Sequence, residues 1–327
     1  MQLTNNTGLP LSIAVWLGTD DYDYNDDPTH ISATTLNKPL RAVVLARQNK
    51  ELTKIADVAS LIPSRMGTAF HTAIEASWVN PNNLKRVLLQ LGYPEKVIAR
   101  IKINPSKEEL TEDTIPVYME IRSSKQIKGF NVSGKFDFVA EGNLEDFKST
   151  STYSYIYSSN IDSYRLQGSI YRWLNPEIVT GSYLTIRYLF TDWSAAKAKQ
   201  EKEYPQSRIL SQNIPLLSVT ETEAYINKFL TNISNLMGAS QDQLPLCTPD
   251  ELWQKPAVFK YYKDPTKLGR STKNFDNAYD ANTRLLADGN VGIVKEISGE
   301  IVRCKYCDVI GICDQAQTYI KNNLINF

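Results

Sequence analysis

The sequence predicts a mixed α/β fold, because segments with helical spacing stand on both sides of a β-rich stretch. Apolar residues recur every three or four positions up to about residue 103, and again over residues 160–174 and 220–237. Between them, residues 115–150 are rich in β-branched and aromatic residues, and residues 182–190 repeat that pattern. Strands interleaved with helices favour a mixed central sheet flanked by helices.

The helices before and after the β-rich stretch are predicted from apolar spacing and start signals. Residues 31–47 favour helices, and Pro39 suits the first turn of one of them. Residues 67–78 predict an amphipathic helix, and two shorter helices are expected to follow it. Near the end of the core, Thr220 and Glu223 have the spacing of a capping box at a helix start.

The β-rich stretch is predicted to be a meander of three strands, over residues 117–122, 129–140 and 144–150. The tripeptide Glu141-Gly142-Asn143 lies between the last two strands and is typical of a tight hairpin turn. A hairpin at this point would bring residues of the last two strands side by side.

The length of 327 residues suffices for one large domain or two ordinary ones. We expect an N-terminal extension over residues 1–30, with a solvated acidic loop at residues 20–27. A core over residues 31–240 follows. A C-terminal section over residues 241–327 holds all four cysteines.

The balance of charge restricts how the protein could bind nucleic acid, and the hydropathy argues against a membrane-spanning or a secreted protein. Thirty-six basic residues balance 36 acidic ones, so any surface for nucleic acid must be a local basic stripe rather than a property of the whole molecule. No apolar run approaches the roughly 18–20 residues that span a bilayer, and the first residues lack the pattern of a secretory signal. We therefore expect a soluble cytoplasmic protein with no membrane partner.

Two aspartates and a lysine form the first candidate site. Side chains two residues apart share one face of a strand, so Asp146 and Lys148 are expected to project together while Phe147 points into the core. Asp137 stands on the preceding strand of the hairpin. Close carboxylates repel unless a cation lies between them, and magnesium prefers oxygen ligands. Lys148 would neutralise the carboxylates or stabilise charge on a phosphate, and a solvated strand face is the alternative.

Two helices add further candidates. Gly67, His71 and Glu75 are four residues apart and share one helical face, and the missing side chain of Gly67 would let a strand or ligand approach closely. Gln167 and Tyr171 are also four apart on a later helix, where they would contact a sugar-phosphate backbone. A structural histidine and a packing tyrosine are the alternatives.

In this order, the motifs resemble those of the RecB-like branch of the PD-(D/E)XK nucleases. The likeness covers residues 67–171 and is closest to exonuclease-like proteins of bacteriophages. The matching motifs are Gly67-x3-His71, Gly134-x2-Asp137, Asp146-x-Lys148 and Gln167-x3-Tyr171.

The resemblance implies a restriction-endonuclease-like core and a role for each matching residue. His71, Asp137, Asp146 and the backbone carbonyl of Phe147 would hold Mg²⁺ or Mn²⁺, and Glu75 is a further candidate carboxylate. Asp137 and Asp146 would act together with a catalytic Lys148. Gln167 and Tyr171 would position DNA.

The same resemblance implies a metal-dependent deoxyribonuclease that leaves 5′-phosphates. Both exonuclease and endonuclease action fit the motifs, and the likeness to phage proteins favours the first. Such an enzyme would act on single- or double-stranded DNA in phage recombination, replication or DNA degradation, in the host-cell cytoplasm, beside a helicase, recombinase or single-strand-binding partner. Two alternatives stay open: an inactive DNA-binding protein of the same fold, and an interaction module built around a metal site.

The cysteines form the second candidate site. Cys304-x2-Cys307-x5-Cys313 and the distant Cys247 supply the four thiolates that zinc or an iron–sulfur cluster requires. The pattern resembles the iron–sulfur staple of AddB-type helicase-nucleases and of CRISPR-associated adaptation nucleases, which implies a [4Fe-4S] cluster. In those relatives the lone cysteine generally precedes the nuclease core, whereas Cys247 follows it, so the cluster would close only the C-terminal lobe. Zinc and unligated thiols stay open as alternatives.

Basic residues interleaved with aromatic ones precede the three clustered cysteines. Lys260, Lys263 and Arg270 lie near Tyr261 and Tyr262, a composition that suits a surface gripping phosphates and stacking bases. The alternative is a solvated β-ribbon with buried aromatic residues.

Overall fold

The structure is a computed structural model and describes residues 2–20, 25–51 and 55–326. The middle of the predicted acidic loop, residues 21–24, lies outside the described residues. In chain order, the helices are α1 (Leu11–Gly18), α2 (Ala33–Leu36), α3 (Leu40–Gln48), α4 (Ile62–Val79), α5 (Pro81–Gln90), α6 (Glu95–Ile98), α7 (Thr152–Ile156), α8 (Ile161–Leu174), α9 (Ala195–Gln200), α10 (Val219–Leu236), α11 (Ala278–Ala287) and α12 (Asp314–Lys321).

The strands confirm the predicted mixed α/β class. In chain order, they are β1 (Gln2–Thr4), β2 (His30–Ser32), β3 (Ile55–Asp57), β4 (Ile101–Ile103), β5 (Ile115–Met119), β6 (Arg122–Ile127), β7 (Phe130–Lys135), β8 (Phe138–Ala140), β9 (Asn143–Thr150), β10 (Tyr183–Phe190), β11 (Ile209–Pro215), β12 (Val258–Tyr262), β13 (Lys273–Phe275) and β14 (Ile293–Ile297).

The chain divides into two compact units. Unit 1 comprises Met1–Asn37 and Thr53–Thr231, and unit 2 comprises Lys38–Leu52 and Asn232–Phe327. The division in the sequence therefore falls within α10, and unit 2 takes in α3 from the N-terminal part of the chain. Across the described ranges, no helix combines the length and the apolar character needed to cross a bilayer.

Unit 1 is built on a six-stranded mixed sheet in the order β11-β10-β9-β8-β5-β4. The pairs β9–β10 and β4–β5 are parallel, and the other neighbours are antiparallel. A second sheet has the order β2-β7-β6, and β1 pairs with β3. The core between α4 and the large sheet includes Val117, Met119 and Phe138, against which Ile74 and Trp78 of α4 pack.

The predicted hairpin joins β8 to β9. Glu141 and Gly142 both have positive φ values, 48° and 80°, as a two-residue type I′ turn requires. Ala140 pairs with Asn143 and Phe138 with Glu145.

Three local predictions were wrong, each because a long-range pairing overrode a local pattern. The expected single strand over residues 129–140 is interrupted at the fully buried Phe136, so that β7 joins the second sheet and β8 the large one. Residues 31 and 32, the expected start of a helix, belong instead to β2, because they pair with β7. Residues 101–103 form β4 instead of a helix end, because they pair with β5.

The capping box at the start of α10 also differs from the predicted one. Ser218 Oγ accepts from the Glu221 backbone N–H at 3.1 Å, and Glu221 Oε2 accepts from the Ser218 N–H at 2.8 Å. The predicted pair, Thr220 and Glu223, lies two residues too far along. Glu223 instead accepts a hydrogen bond from the indole N–H of Trp173 at 2.8 Å.

Unit 2 contains the antiparallel sheet β13-β12-β14, and α11 packs beside it. A separate apolar core gathers α3, α12 and the loops around them. Its fully buried members include Val44, Leu45, Leu244 and Ile301, and all four cysteines belong to or pack against it.

Candidate functional site

Three side chains from separate elements of unit 1 converge at one point. They are His71 on α4, Glu120 in the turn after β5, and Asp137 just before β8, and one ligand atom of each lies within 4.8 Å of the others. His71 Nδ1 is 3.5 Å from Asp137 Oδ1 and 3.9 Å from Glu120 Oε1. The break between β7 and β8 places Asp137 here, since the chain changes sheets at that residue.

The backbone of Phe147 ties this group to β9. Its carbonyl lies 2.9 Å from His71 Nε2, and its N–H donates to Asp137 Oδ2 at 2.9 Å. A carbonyl only accepts, so Nε2 must carry a proton. In the neutral ring, Nδ1 then presents a lone pair towards two carboxylates. That arrangement is repulsive unless Nδ1 is protonated or a cation lies among the three groups.

Asp146 and Lys148 lie beside this group as a buried ion pair. Leu144, Asp146 and Lys148 occupy alternate positions of β9 and share one face, as the strand pattern predicted. Asp146 is 3% exposed, and its Oδ2 is 2.5 Å from Lys148 Nζ. The same buried oxygen has no partner in hydrogen-bonding geometry. The Lys148 ammonium also lies 5.4 Å from the ring centre of Tyr164.

Burial and the charges of neighbouring groups shift the pKa values of the four predicted site residues, some upwards and one downwards. These residues are His71, Asp137, Asp146 and Lys148. Burial and the nearby Asp137 raise the pKa of Asp146 to about 6, although Lys148 opposes this. Burial also favours neutral Asp137, but the hydrogen bond and charge of His71 outweigh it and lower the pKa of Asp137. Burial would lower the pKa values of His71 and Lys148, yet the neighbouring carboxylates raise both. The site therefore holds anionic and cationic groups that stabilise one another.

Sequence reasoning missed Glu120. Its backbone has a φ of 53°, its N–H donates to the Asp137 carbonyl at 3.1 Å, and its side chain forms an ion pair with Lys135. A signal was present, since Glu120 is an acidic residue directly after β5, in the two-residue connection to β6. Glu75, the predicted additional carboxylate, is partly buried and lies outside the group of three.

The remaining motif residues of unit 1 pack closely. Gln167 Nε2 donates to the Tyr171 hydroxyl at 2.7 Å, and Tyr171 is only 5% exposed. A Cβ at Gly134 would lie 3.0 Å from both Tyr171 and Leu174, which explains why this position lacks a side chain. At Gly67, a Cβ would meet only Ser149 Oγ at 3.6 Å, an ordinary contact. Within this structure, β9 therefore does not approach Gly67 so closely that a methyl group would be excluded.

The four cysteines of unit 2 are free and close enough to influence one another. Cys304 and Cys313 are each 8% exposed, while Cys247 and Cys307 are partly buried. Burial, Glu251 and the other three cysteines raise the pKa of Cys247 to about 12, and burial with Cys307 and Cys313 raises that of Cys304 to about 11. Cys247 and Cys304 are therefore neutral thiols unless a cation binds them.

The basic and aromatic stretch of unit 2 forms a β-ribbon. Tyr261 and Tyr262 on β12 are buried, at 0% and 6% exposure. Lys260 is partly buried on the same strand, whereas Lys263 and Arg270 are exposed. The tyrosine rings therefore belong to the core, and the outer lysine and arginine remain available to solvent.

No protein-family profile and no curated protein matches the sequence. Among solved structures, the chain is similar to the protein SSO0001, with a TM-score of 0.41 and 15% identity over 72% of this chain and 90% of that one. It is also similar to a proposed exonuclease from Eubacterium rectale, with a TM-score of 0.36 and 10% identity over 71% of this chain and 96% of that one.

Proposed function

We propose that the chain is a Mg²⁺- or Mn²⁺-dependent DNA nuclease of the RecB-like branch of the PD-(D/E)XK superfamily. The observation that carries the proposal is the convergence of His71, Glu120 and Asp137 beside the buried pair of Asp146 and Lys148. These are the parts that metal-assisted phosphodiester hydrolysis needs: oxygen and nitrogen ligands and a fixed cation.

The residues present fit a divalent cation. Ligand atoms on opposite sides of a magnesium ion lie about 4.2 Å apart, which the group of three accommodates within its 4.8 Å. The Nδ1 lone pair of a neutral His71 ring faces two carboxylates, and the buried Asp146 Oδ2 is paired with the Lys148 ammonium beside them. A cation among these groups would relieve the repulsion between the lone pair and the carboxylates. His71 Nδ1, Glu120 and Asp137 would therefore hold the ion. The motif likeness adds Asp146 and the Phe147 carbonyl as ligands, although in this structure that carbonyl accepts from the opposite ring nitrogen of His71, Nε2. When bound, it supplies charge neutralisation and a water of lowered pKa.

The protein's own groups position and neutralise the substrate. Asp146 holds the Lys148 ammonium in place, and the lysine side chain is still 23% exposed, so one of its N–H groups can reach a phosphate oxygen. A fixed ammonium stabilises charge that develops on that oxygen, because it needs no reorganisation during the reaction. Gln167 would orient the sugar-phosphate backbone, with Tyr171 fixing the glutamine amide.

The proposal also covers the type of cleavage, the biological role and the partners of the enzyme. The exonuclease action, the role in phage recombination, replication or DNA degradation, and the helicase, recombinase or single-strand-binding partner come from the motif likeness. Exposed Lys263 and Arg270, with Lys260, are the proposed local patch for single- or double-stranded DNA.

We further propose that Cys247, Cys304, Cys307 and Cys313 bind a [4Fe-4S] cluster. The proposal is supported by the motif likeness and by the packing of all four cysteines in or against one apolar core. Four thiolates are the ligand set that a [4Fe-4S] cluster requires, and zinc is the alternative.

The test of the nuclease proposal compares Asp146→Asn and Lys148→Met with Asp162→Asn, a control at an exposed surface pair. Each protein is assayed on 5′- and 3′-labelled single- and double-stranded DNA with Mg²⁺ and then Mn²⁺. We expect the wild type and the control to cleave and both site variants to lose at least about 10³-fold, as when a group needed only in the transition state is removed. DNA affinity should change little. Cleavage by Asp146→Asn at the wild-type rate would refute the site, and a wild type that binds but never cuts DNA would favour the inactive DNA-binding protein.

A further inference from the structure

A buried guanidinium lies against the cysteine site of unit 2. Arg41, on α3, is 3% exposed. Its Nε donates to Cys313 Sγ at 3.4 Å, and its Nη1 donates to the carbonyls of Gln241 and Leu244 at 3.0 and 3.1 Å. Its Nη2 lies 3.4 Å from Gln241 Oε1. The side chain is therefore held by several hydrogen bonds at the wall of the cysteine pocket.

None of these partners carries a permanent negative charge. In the portion of the chain that the structure describes, Arg41 makes no ion pair with a carboxylate; its neighbours are two carbonyls, one amide and one sulfur. A buried guanidinium is stabilised by a negatively charged group within hydrogen-bonding distance. The N–H of Arg41 that points at Cys313 Sγ, 3.4 Å away, would face any anionic group that the cysteines hold.

We propose that Arg41 is the internal counter-ion of the cysteine-bound metal group and a positioning residue for Cys313. The inference rests on metal binding by the cysteines and is independent of DNA cleavage. Four thiolates give any bound zinc ion or four-iron cluster a net negative charge. A buried cation that donates an N–H to one sulfur would therefore stabilise the loaded state over the empty one.

A second set of contacts supports the positioning role. Gln241, which accepts from Arg41, also accepts the Asp314 N–H at 3.0 Å through the same side-chain oxygen. Its amide nitrogen donates to the Ile312 carbonyl at 2.8 Å. The residues on both sides of Cys313 are thus held by the glutamine that Arg41 contacts. The sulfur and its flanking backbone are fixed together.

The contacts also link a distant segment to the metal site. Arg41 and Cys313 are 272 positions apart in the sequence. The other end of α3 is attached by Gln48, whose amide donates to the carbonyls of Leu236, Met237 and Ala239. Metal binding should therefore order α3, because the loaded site supplies the charge that balances Arg41.

The first experiment compares Arg41→Met, Arg41→Lys and Gln48→Ala with the wild type, all purified with their metal. The measurement is the rate at which a chelator removes the metal, followed by absorbance or metal content per chain. We expect Arg41→Met to lose metal about 10–100-fold faster, as for other outer-shell partners of metal ligands, and Arg41→Lys to lie between. Gln48→Ala loosens α3 without touching the sulfurs, so its rate should match the wild type. If the bound group is a cluster, Arg41→Met should also move its reduction midpoint to a more negative potential.

Equal metal loss and an equal midpoint in folded Arg41→Met and wild type would overturn the inference. If Arg41→Met fails to fold, hydrogen exchange on the wild type decides, with and without metal. We expect the amides of α3 to lose protection when metal is removed, and unchanged protection would refute the link. A wild type without metal would instead refute the cysteine-site proposal itself, and neither result depends on whether the protein cuts DNA.

Discussion

The carboxylate site of unit 1 and the cysteine site of unit 2 both bury ionisable groups, but they balance charge differently. In unit 1, anionic and cationic side chains occur in equal number around one point: Glu120, Asp137 and Asp146 face Lys135, Lys148 and His71. In unit 2, the four cysteines belong to or pack against one apolar core, and the buried guanidinium of Arg41 donates to one of them, Cys313. On the proposed assignments, we therefore expect unit 1 to fold without a divalent cation and unit 2 to need a metal group that ionises its thiols.

The largest expected difference between the two units is in how much their stability depends on bound metal. If the cysteines bind metal as proposed, that binding would contribute directly to the folding of unit 2, because structural metal sites of this kind supply about 10 kcal/mol or more. We expect Cys307→Ala, or stripping of the wild type, to lower the unfolding temperature of unit 2 and to abolish any absorbance near 400 nm. Withdrawing Mg²⁺ should lower the unfolding temperature of unit 1 much less, by only the mass-action stabilisation that a bound ligand supplies. Calorimetry measures both, and a Cys307→Ala protein as stable as the wild type would remove the contrast.

A comparison of Glu120 with Glu75 tests which of these two carboxylates in unit 1 is a metal ligand. Glu120 faces His71 and Asp137, whereas Glu75 lies outside that group. We expect Glu120→Gln to lower kcat/KM by about 10–100-fold and to raise the Mg²⁺ requirement, as when a metal partner loses its charge. Glu75→Gln is the matched control and should stay close to the wild type. The reverse ranking in a Mg²⁺ titration would show that Glu75 belongs to the site.

The two motif glycines should differ in stability rather than activity. A Cβ at Gly134 would press on Tyr171 and Leu174 at 3.0 Å, so Gly134→Ala should destabilise by about 1–3 kcal/mol through overpacking. Gly67→Ala meets only Ser149 Oγ at 3.6 Å and lies within α4, so it should be neutral or stabilising by up to about 1 kcal/mol. Denaturant unfolding of both variants checks this, and equal losses would contradict it.

The smallest effect is expected at Glu300 in unit 2. Hydrogen bonds from Lys255 and Lys305, each 2.6 Å long, lower the pKa of Glu300 to about 2. Since the folded pKa lies below the usual value of about 4.3, its contribution is present above that value and is lost as pH falls towards 2. Glu300→Gln should therefore be slightly less stable than the wild type at pH 7. In unfolding measurements the difference should shrink below pH 4, and a constant difference would exclude this origin.

Much of the carboxylate site could be predicted from local patterns. Alternation along β9 was enough to place Asp146 and Lys148 on one face, and the Glu141-Gly142 turn indicated the hairpin beside it. The helical spacing of α4 likewise identified His71. These inferences succeed because strand and helix periods, and the positive φ of a tight turn, are properties of neighbouring residues.

By itself, therefore, the sequence determined the α/β class and the hairpin, and it supplied the candidate ligands whose metal binding stays a prediction. Only the tertiary structure decided that the chain changes sheets at Phe136, that Glu120 faces His71, and that Arg41 reaches Cys313. Each of these depends on segments distant in sequence that meet once the cores form. A period of 2 or 3.6 residues describes which face a side chain occupies, and the packing of whole elements selects the partner it meets there.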